Sequence, residues 1–404
     1  MQIGYDIRGL YKKEINENLM YFLAEKFFNY LKKNNLPLEI YLGIDTRKSS
    51  PNLASAFASK FLEFSRTKIN YLGIIPTPVL YYLSIKNKKA GVMITASHLS
   101  FNYNGIKFIL PDGYTWIYRK IPKNFKTIIP KVKVSYRPIY MKEVLKNYLE
   151  QLSKKANLNK KFNLKILNSE KSTNYPLFKL IPLIFKNIKI LQSNRIKTNS
   201  FYLKSDIDGD RLEIYFKKQL IIPEVLLYAI LKVSNYKKVG IPITMHKKII
   251  ELFPKIKFYF IKTGHSNFKY AFKKFKLDFA IEPSFHFYFF KDLKTESPFL
   301  ALFKILKYYE LKKDFDEIGK IFPLERIEIK KKLNFSKIKE TLIKDGFKME
   351  LFDDFYFYKK IEKDYLAINF RQSKTEKDVW RIFIETSDLK YLRGLTNIVR
   401  SLIK

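Results

Sequence analysis

Three aspartates at alternating positions stand in the run Asp206-Ile207-Asp208-Gly209-Asp210-Arg211, between the apolar runs Phe201-Tyr202-Leu203 and Leu212 to Phe216. Carboxylates at that spacing on a tight loop supply hard oxygen ligands for a divalent cation and are forced to converge on it. An EF-hand is excluded, because Arg211 stands where that loop needs its sixth-position glycine and Lys217 where it needs its final glutamate. A second concentration of chemistry lies in Gly91 to Lys107, GVMITASHLSFNYNGIK. Val92-Met93-Ile94 reads as a buried strand that releases Ser97 and His98 at its end, where α/β sheets place their reactive groups. Ser97 is therefore the leading nucleophile candidate, with Gly105 and Lys107 closing the loop behind it.

Other polar groups cluster on loops in the same manner. The run Lys262-Thr263-Gly264-His265-Ser266 opens a helix, and the free amides of a helix start favour an anion. Arg371-Gln372-Ser373-Lys374-Thr375-Glu376 lies between two strands and offers an arginine, two hydroxyls and several amides, the makings of a phosphate cradle. Gly4-Tyr5-Asp6-Ile7-Arg8-Gly9 holds Arg8 in a tight loop. Of the four histidines, His98, His265 and His286 fall in such loops, and only His246 does not.

The elements that must carry these loops alternate between strands and helices. Leu19, Phe22, Leu23, Phe27 and Leu31 recur at helical spacing after Ile15, predicting a helix of about four turns. Leu38 to Ile44 reads as a strand, followed by Asp45-Thr46-Arg47 and a helix capped by Ser50 with Pro51 at its first position. Lys154 to Lys165 reads as a polar surface loop, Val239 to Pro242 as a strand and Met245 to Phe253 and Asn267 to Phe275 as helices. Near the end, a helix over Lys337 to Asp345 is capped by Ser336 and stopped by Gly346, with strands Leu366 to Phe370 and Val379 to Ile384 after it. The last helix is capped by Ser387, with Leu389, Leu392, Leu395, Ile398 and Leu402 on one face.

A chain of 404 residues suggests about two to four domains, and 47% hydrophobic residues suffice to fill their cores. Cysteine is absent, which removes disulfides and thiolate metal sites. A formal charge of +39 would suit a polyanion, but the lysines are spread through the chain with Ile, Asn, Tyr and Phe and no nucleic-acid-binding signature accompanies them. A nucleic-acid partner is accordingly not favoured. No P-loop or GxGxxG exists among the 13 dispersed glycines, so kinase and dehydrogenase readings fall away. The first residues lack the apolar core of a signal peptide and no window reaches the length of a membrane span, so a cytoplasmic protein without a membrane partner is expected.

Taken together, TASH with YNGIK, DIDGDR, TGHS, Glu282-Pro283-Ser284-Phe285-His286, RQSKTE with the following WRIFIET, and the opening YDIRG resemble the motifs of the α-D-phosphohexomutase family, in its phosphomannomutase/phosphoglucomutase branch. Gly-Ile-Asp45-Thr-Arg47-Lys-Ser-Ser resembles a further family motif that braces the serine loop. The resemblance implies an α/β chain of three αβ domains of similar topology with mixed sheets, plus a smaller C-terminal α+β domain, around a central cleft. It implies a phosphoserine-bearing domain over 1–135, a metal-binding domain over 136–234, a sugar-recognition domain over 235–320 and a phosphate-binding domain over 321–404.

The implied activity interconverts hexose 1- and 6-phosphates, mannose or glucose, through phosphoserine at Ser97 and a hexose 1,6-bisphosphate that also serves as activator. Mg²⁺ is implied on Asp206, Asp208, Asp210 and the serine-borne phosphate of Ser97. Lys107 is implied as general base, with His98, Arg8 and Arg211 in catalytic roles. Thr263, Gly264, His265, Glu282, Ser284 and His286 would read the sugar, and Arg371, Ser373, Lys374 and Thr375 would hold the other phosphate. The partner implied is a small sugar phosphate, with the chain a monomer or homodimer. Phe285, Ile281 and Lys374 replace family glycines, and Ser297-Pro298 replaces an Asp-Gly. A phenylalanine at positive φ would be strained. Phosphoglucosamine or phospho-N-acetylglucosamine mutase activity, an inactive homologue and a polyanion-binding protein are the alternative readings.

Overall fold

A computed structural model describes the chain except for Tyr5, residues 123–136, 139–140, 168–170, 198–199, 313–314, 353, 374–377 and 404. Of the residues singled out above, Tyr5, Lys374, Thr375 and Glu376 lie outside the described residues, as does the expected boundary at 135. The chain is α/β with several mixed sheets, and its contacts group it into two units, Met1–Ile221 with Ser284–Leu311, and Ile222–Pro283 with Lys312–Lys404.

The first unit contains two mixed sheets. One has the order Gln2–Ile3, Ile7–Leu10, Tyr103–Ile109, Ala90–Ile94, Glu39–Ile44, Lys68–Ile74, Arg137–Pro138, with Thr115–Trp116 added to Tyr103–Ile109. Glu39–Ile44 runs parallel to both its neighbours, whereas Tyr103–Ile109 is antiparallel to Ala90–Ile94. The helices Glu17–Lys33 and Ser50–Phe61 share a core in which Leu23, Phe27 and Phe57 meet Leu42, Val92 and Phe108. Asn16 caps the first helix, its Oδ1 accepting from the amide of Leu19 at 3.0 Å.

The other sheet has the order Ile188–Ser193, Phe162–Leu167, Phe201–Ser205, Leu212–Phe216, Gln219–Leu220. Helix Pro298–Leu311 belongs with it, because Phe299, Phe303 and Tyr309 of that helix meet Phe178, Phe185, Phe201 and Phe216. The second unit holds the parallel strands Lys257–Phe260, Lys238–Ile241 and Phe279–Ile281, and an antiparallel sheet ordered Leu324–Lys330, Val379–Thr386, Asp364–Gln372, Phe355–Ile361, Lys348–Leu351. Helices Phe335–Lys344 and Leu389–Leu402 cover that antiparallel sheet with Ile338, Leu342, Leu395 and Val399. No helix among the described residues is long and apolar enough to cross a membrane.

Several local expectations change. Residues 154–165 are not one loop: helix Met141–Ala156 runs into them and strand Phe162–Leu167 begins within them. Phe162, Leu164 and Ile166 alternate inward, a two-residue period that the lysine- and asparagine-rich composition hides. Ser50 is the first residue of its helix, and its hydroxyl donates to Asp45 Oδ1 at 2.6 Å instead of capping. Asn334 rather than Ser336, and Asp388 rather than Ser387, cap the last two helices. In the final helix Leu389 and Ile398 are exposed, while Leu392 and Leu402 pack, partly buried, against the core reached by Leu395 and Val399. Helix Met245–Phe253 shrinks to Lys248–Leu252, because His246 Nδ1 accepts the amide of Lys248 at 3.1 Å and ends the loop there.

Candidate active site

Ser97 follows the strand Ala90–Ile94 and is fully buried. Its φ of +53° places it in the left-handed region, which a non-glycine residue occupies at some cost. The turn is held from several sides. Thr95 Oγ1 accepts the amide of Ser97 at 2.8 Å, and Thr95 donates its own amide to the carbonyl of Gly105 at 3.0 Å. Arg47 Nη2 donates to the carbonyls of Ser97, at 3.0 Å, and Leu99, while its Nε donates to that of Tyr103 at 2.8 Å. Asp45 pairs with the Arg47 guanidinium, both fully buried. Gly105 is required where it stands, since a Cβ there would lie 2.2 Å from the carbonyl oxygen of Ile7. Arg8, opposite Gly105 in the sheet, is buried and its Nε donates to Asp6 at 2.7 Å. The Ser97 hydroxyl has no hydrogen-bond partner.

The three aspartates stand at the turn between Phe201–Ser205 and Leu212–Phe216, and one oxygen from each lies within 4.8 Å of the others. In each carboxylate a single oxygen accepts hydrogen bonds. Asp206 Oδ1 accepts the amide of Arg211 at 3.1 Å, Asp208 Oδ2 accepts Lys107 Nζ at 2.6 Å and Thr77 Oγ1 at 3.2 Å, and Asp210 Oδ2 accepts Lys107 Nζ at 3.1 Å. The remaining oxygens, Asp206 Oδ2, Asp208 Oδ1 and Asp210 Oδ1, are buried and accept no hydrogen bond. Burial and then the charges of Asp210 and Asp208 push the Asp206 carboxyl well above the usual aspartate range. Burial acts the same way on Asp210, but Lys107, His286 and Arg211 outweigh it and hold that group well below. A cluster in which one carboxylate resists ionisation while three buried oxygens stay without donors suits an oxygen-binding divalent cation.

The serine and aspartate loops act on one another electrostatically. Burial, then the charges of Arg211 and Arg8, push the His98 imidazole down to about 3, with Asp210 opposing and His286 adding to the effect. His98 is thus neutral near pH 7 and a poor proton acceptor. His286 Nε2 accepts from Arg211 Nε at 3.1 Å, leaving its proton on Nδ1, which faces Glu296 Oε2 at 3.7 Å and Asp210 Oδ1 at 4.0 Å. Ser97, Lys107, Arg8, His98, Arg211, the aspartates, Ser284 and His286 all belong to the first unit.

The remaining expected residues belong to the second unit. Thr263, Gly264 and His265 begin helix His265–Phe275, two residues ahead of the expected start, and Gly264 at φ +124° donates its amide to Glu282 Oε1 at 2.9 Å. The TGHS loop and Glu282 are thereby joined. The loop that continues from Glu282 passes into the first unit at Ser284. Phe285 there has φ +65°, the conformation a glycine would take, so the backbone path is kept at the cost of strain in a bulky residue. Arg371 ends strand Asp364–Gln372 directly opposite Arg381, and Arg381 Nη1 donates to Ser373 Oγ at 3.1 Å. Arg381, Thr77 and Glu296 were not singled out from the sequence. Thr77-Pro78 after a strand was the available sign for Thr77, whereas nothing local marks the other two.

The family model for phosphoglucomutase/phosphomannomutase alpha/beta/alpha domain I matches residues 3–129. Phosphomannomutase of Methanocaldococcus jannaschii is 28% identical, with 99% of this chain and 96% of that protein covered. Residues 3–129 are thus similar to the first domain of phosphoglucomutase/phosphomannomutase proteins, and the chain over nearly its whole length is similar to a phosphomannomutase. A phosphoglucosamine mutase of Clostridium botulinum is 39% identical over 109 residues, 27% of this chain and 24% of that protein. Two solved structures share the phosphohexomutase fold. A phosphoglucomutase/phosphomannomutase family protein from Burkholderia thailandensis has a TM-score of 0.77 at 19% identity, over 100% of this chain and 96% of that one. The exocytosis-sensitive phosphoprotein parafusin (phosphoglucomutase) of Paramecium, in its open form, has a TM-score of 0.66 at 13% identity, over 95% and 91%.

Proposed function

We propose that this chain is a phosphohexomutase that interconverts hexose 1-phosphate and hexose 6-phosphate, on mannose or glucose, through a phosphoryl group carried on Ser97. The observation that carries the reading is the division of labour in the aspartate cluster: one oxygen of each carboxylate is held by the protein and the other is left without a donor. Asp206, Asp208 and Asp210 would hold Mg²⁺ together with the phosphate on Ser97, and the ion would supply charge neutralisation at the transferring group.

The free hydroxyl of the sugar attacks phosphorus, the bond from phosphorus to Ser97 Oγ breaks and a bisphosphate forms; the reverse transfer from the other end regenerates phosphoserine. Lys107, an ammonium ion-paired with Asp208 and Asp210 at 2.6 and 3.1 Å, gives a proton to Ser97 Oγ as its bond to phosphorus breaks, and the amine so formed is the base that takes the proton of the attacking hydroxyl. Arg8 and Arg211 offer cationic donors to the phosphoryl oxygens as charge builds on them. His98 and His286 assist near the serine and aspartate loops, with Thr263, Gly264, His265, Glu282 and Ser284 reading the sugar and Arg371, Ser373, Lys374 and Thr375 holding the phosphate that does not react. The four-domain division at 135, 234 and 320 and a cytoplasmic location belong to the same proposal.

The test is turnover of mannose, glucose and glucosamine 1-phosphates with glucose 1,6-bisphosphate as activator, in Mg²⁺ and after EDTA. Conversion of mannose or glucose phosphate, lost with EDTA, is expected. Glucosamine phosphate alone would move the assignment to the amino-sugar activity, and no turnover of any would overturn it.

A further inference from the structure

The backbone of the aspartate loop is tied down carbonyl by carbonyl. The oxygen of Ile207 accepts the amide of Thr173 at 2.9 Å, that of Asp208 accepts the amide of Thr77 at 2.9 Å, and that of Gly209 accepts Asn174 Nδ2 at 3.0 Å. The same Asn174 amide nitrogen donates to Ser205 Oγ at 2.7 Å, and the Ser205 hydroxyl in turn donates to the carbonyl of Arg211 at 3.1 Å. Ser205 and Arg211 flank the three aspartates, so one side-chain amide secures the middle of the loop directly and its far end through a hydroxyl. Asn174 is completely buried, as is Thr173.

The fit is close from the other side as well. Gly209 has φ +74°, and a Cβ on it would lie 2.7 Å from Asn174 Oδ1 and 2.8 Å from Thr173 Oγ1. Anchoring successive carbonyls in this way fixes the turn and with it the directions of the side chains between them. The backbone itself thereby holds the carboxylate oxygens close together, which lowers the reorganisation cost of binding.

We propose that Asn174 is a positioning residue for the cation: its amide nitrogen, through Gly209 and Ser205, sets the convergence of Asp206, Asp208 and Asp210. The inference rests on the metal reading of those aspartates. Partners that orient metal ligands typically affect affinity by roughly 10- to 100-fold when removed. Thr173 acts on the loop through its backbone amide, which a side-chain substitution leaves in place, and Thr77 adds to its amide a hydroxyl that reaches the carboxylate of Asp208 itself, not the loop backbone. Asn174 is therefore the point at which the bracing can be removed.

Titration calorimetry of Mg²⁺ into the full chain, for the native protein, Asn174→Ala, Ser205→Ala and Asp208→Asn, tests it. Asn174→Ala is expected to bind Mg²⁺ roughly 10- to 100-fold more weakly with an unchanged near-ultraviolet circular dichroism spectrum. Ser205→Ala, which removes one small hydroxyl and is expected to fold even where Asn174→Ala does not, should weaken binding by several-fold. A merely structural Asn174 would lower the melting temperature and leave affinity alone. Affinity within about twofold of native in the variants that fold would overturn the positioning role while the metal reading stands. A native protein that binds no Mg²⁺, or an Asp208→Asn variant that binds as the native chain does, would overturn the metal reading and this inference with it.

Discussion

Lys107 donates to Asp208 at 2.6 Å across 101 residues of sequence, with both side chains buried. The contact joins the strand behind the serine loop to the aspartate loop, and it gives the amine two connected tasks. It neutralises part of a buried acidic cluster, and in the proposed reaction it also exchanges a proton.

Replacement of Lys107 should separate those tasks. Lys107→Met removes the proton-transfer group and is expected to lower kcat by roughly 100- to 10,000-fold. It also leaves Asp208 and Asp210 without their cation, so the melting temperature in EDTA should fall and Mg²⁺ should restore more of it than in the native protein. Steady-state kinetics and paired thermal melts check this. A kcat within about threefold of native would remove Lys107 from the proton-transfer role, given the loss that role implies.

Arg371 tests the phosphate cradle. A charge-assisted hydrogen bond contributes roughly 1.5 to 3 kcal/mol, so Arg371→Ala should lose roughly 10- to 150-fold in kcat/KM. Arg381, directly opposite in the sheet, adds a second guanidinium close by and can soften the loss. The double variant with Arg381→Ala should then exceed either single one. Values within about twofold of native even in the double variant would show that this hairpin does not hold the phosphate, because the bond estimated above would be missing.

What the sequence made legible follows from where the information lies. Ser97, Lys107 and the aspartates each sit in a short run whose composition is unusual, so contiguous residues reveal them. Thr77, Thr173 and Asn174 are common residue types whose importance comes only from contacts made over long stretches of chain, such as the 131 residues between Thr77 and Asp208. Strand Phe162–Leu167 was hidden because lysine and asparagine occupy its outward positions. The caps Asn334 and Asp388 were displaced from the expected serines by two residues and one, a shift that only the cap geometry settles. Phe285 shows the reverse case: the sequence argued against a positive φ, and the surrounding loop imposes it nonetheless.

Glu310 offers a test of the first unit that does not involve the site. Its Oε1 accepts the amides of Asn159, at 2.9 Å, and Lys160, at 2.5 Å, and its Oε2 accepts Lys307 Nζ at 2.9 Å, fastening the end of helix Pro298–Leu311 to the loop before strand Phe162–Leu167. Burial opposes ionisation, but Lys307 and the two amides outweigh it and hold the carboxyl below the usual glutamate range. A depressed carboxyl contributes stability above its unfolded value, about 4.3, and loses it as pH falls through the folded value. Glu310→Gln should therefore melt lower than native at pH 7, with the gap closing below about pH 4. A gap that is constant between pH 7 and pH 3 would contradict the ion-pair account.

The central claim is that Ser97 carries the phosphoryl group, and intact-mass measurement with peptide mapping addresses it directly. After incubation with glucose 1,6-bisphosphate and Mg²⁺, the native chain should gain one phosphoryl group located on Ser97, and Ser97→Ala, folded by circular dichroism, should gain none and turn over no hexose phosphate. A native chain that stays unmodified while converting substrate, or a Ser97→Ala variant with native activity at saturating activator, would contradict it.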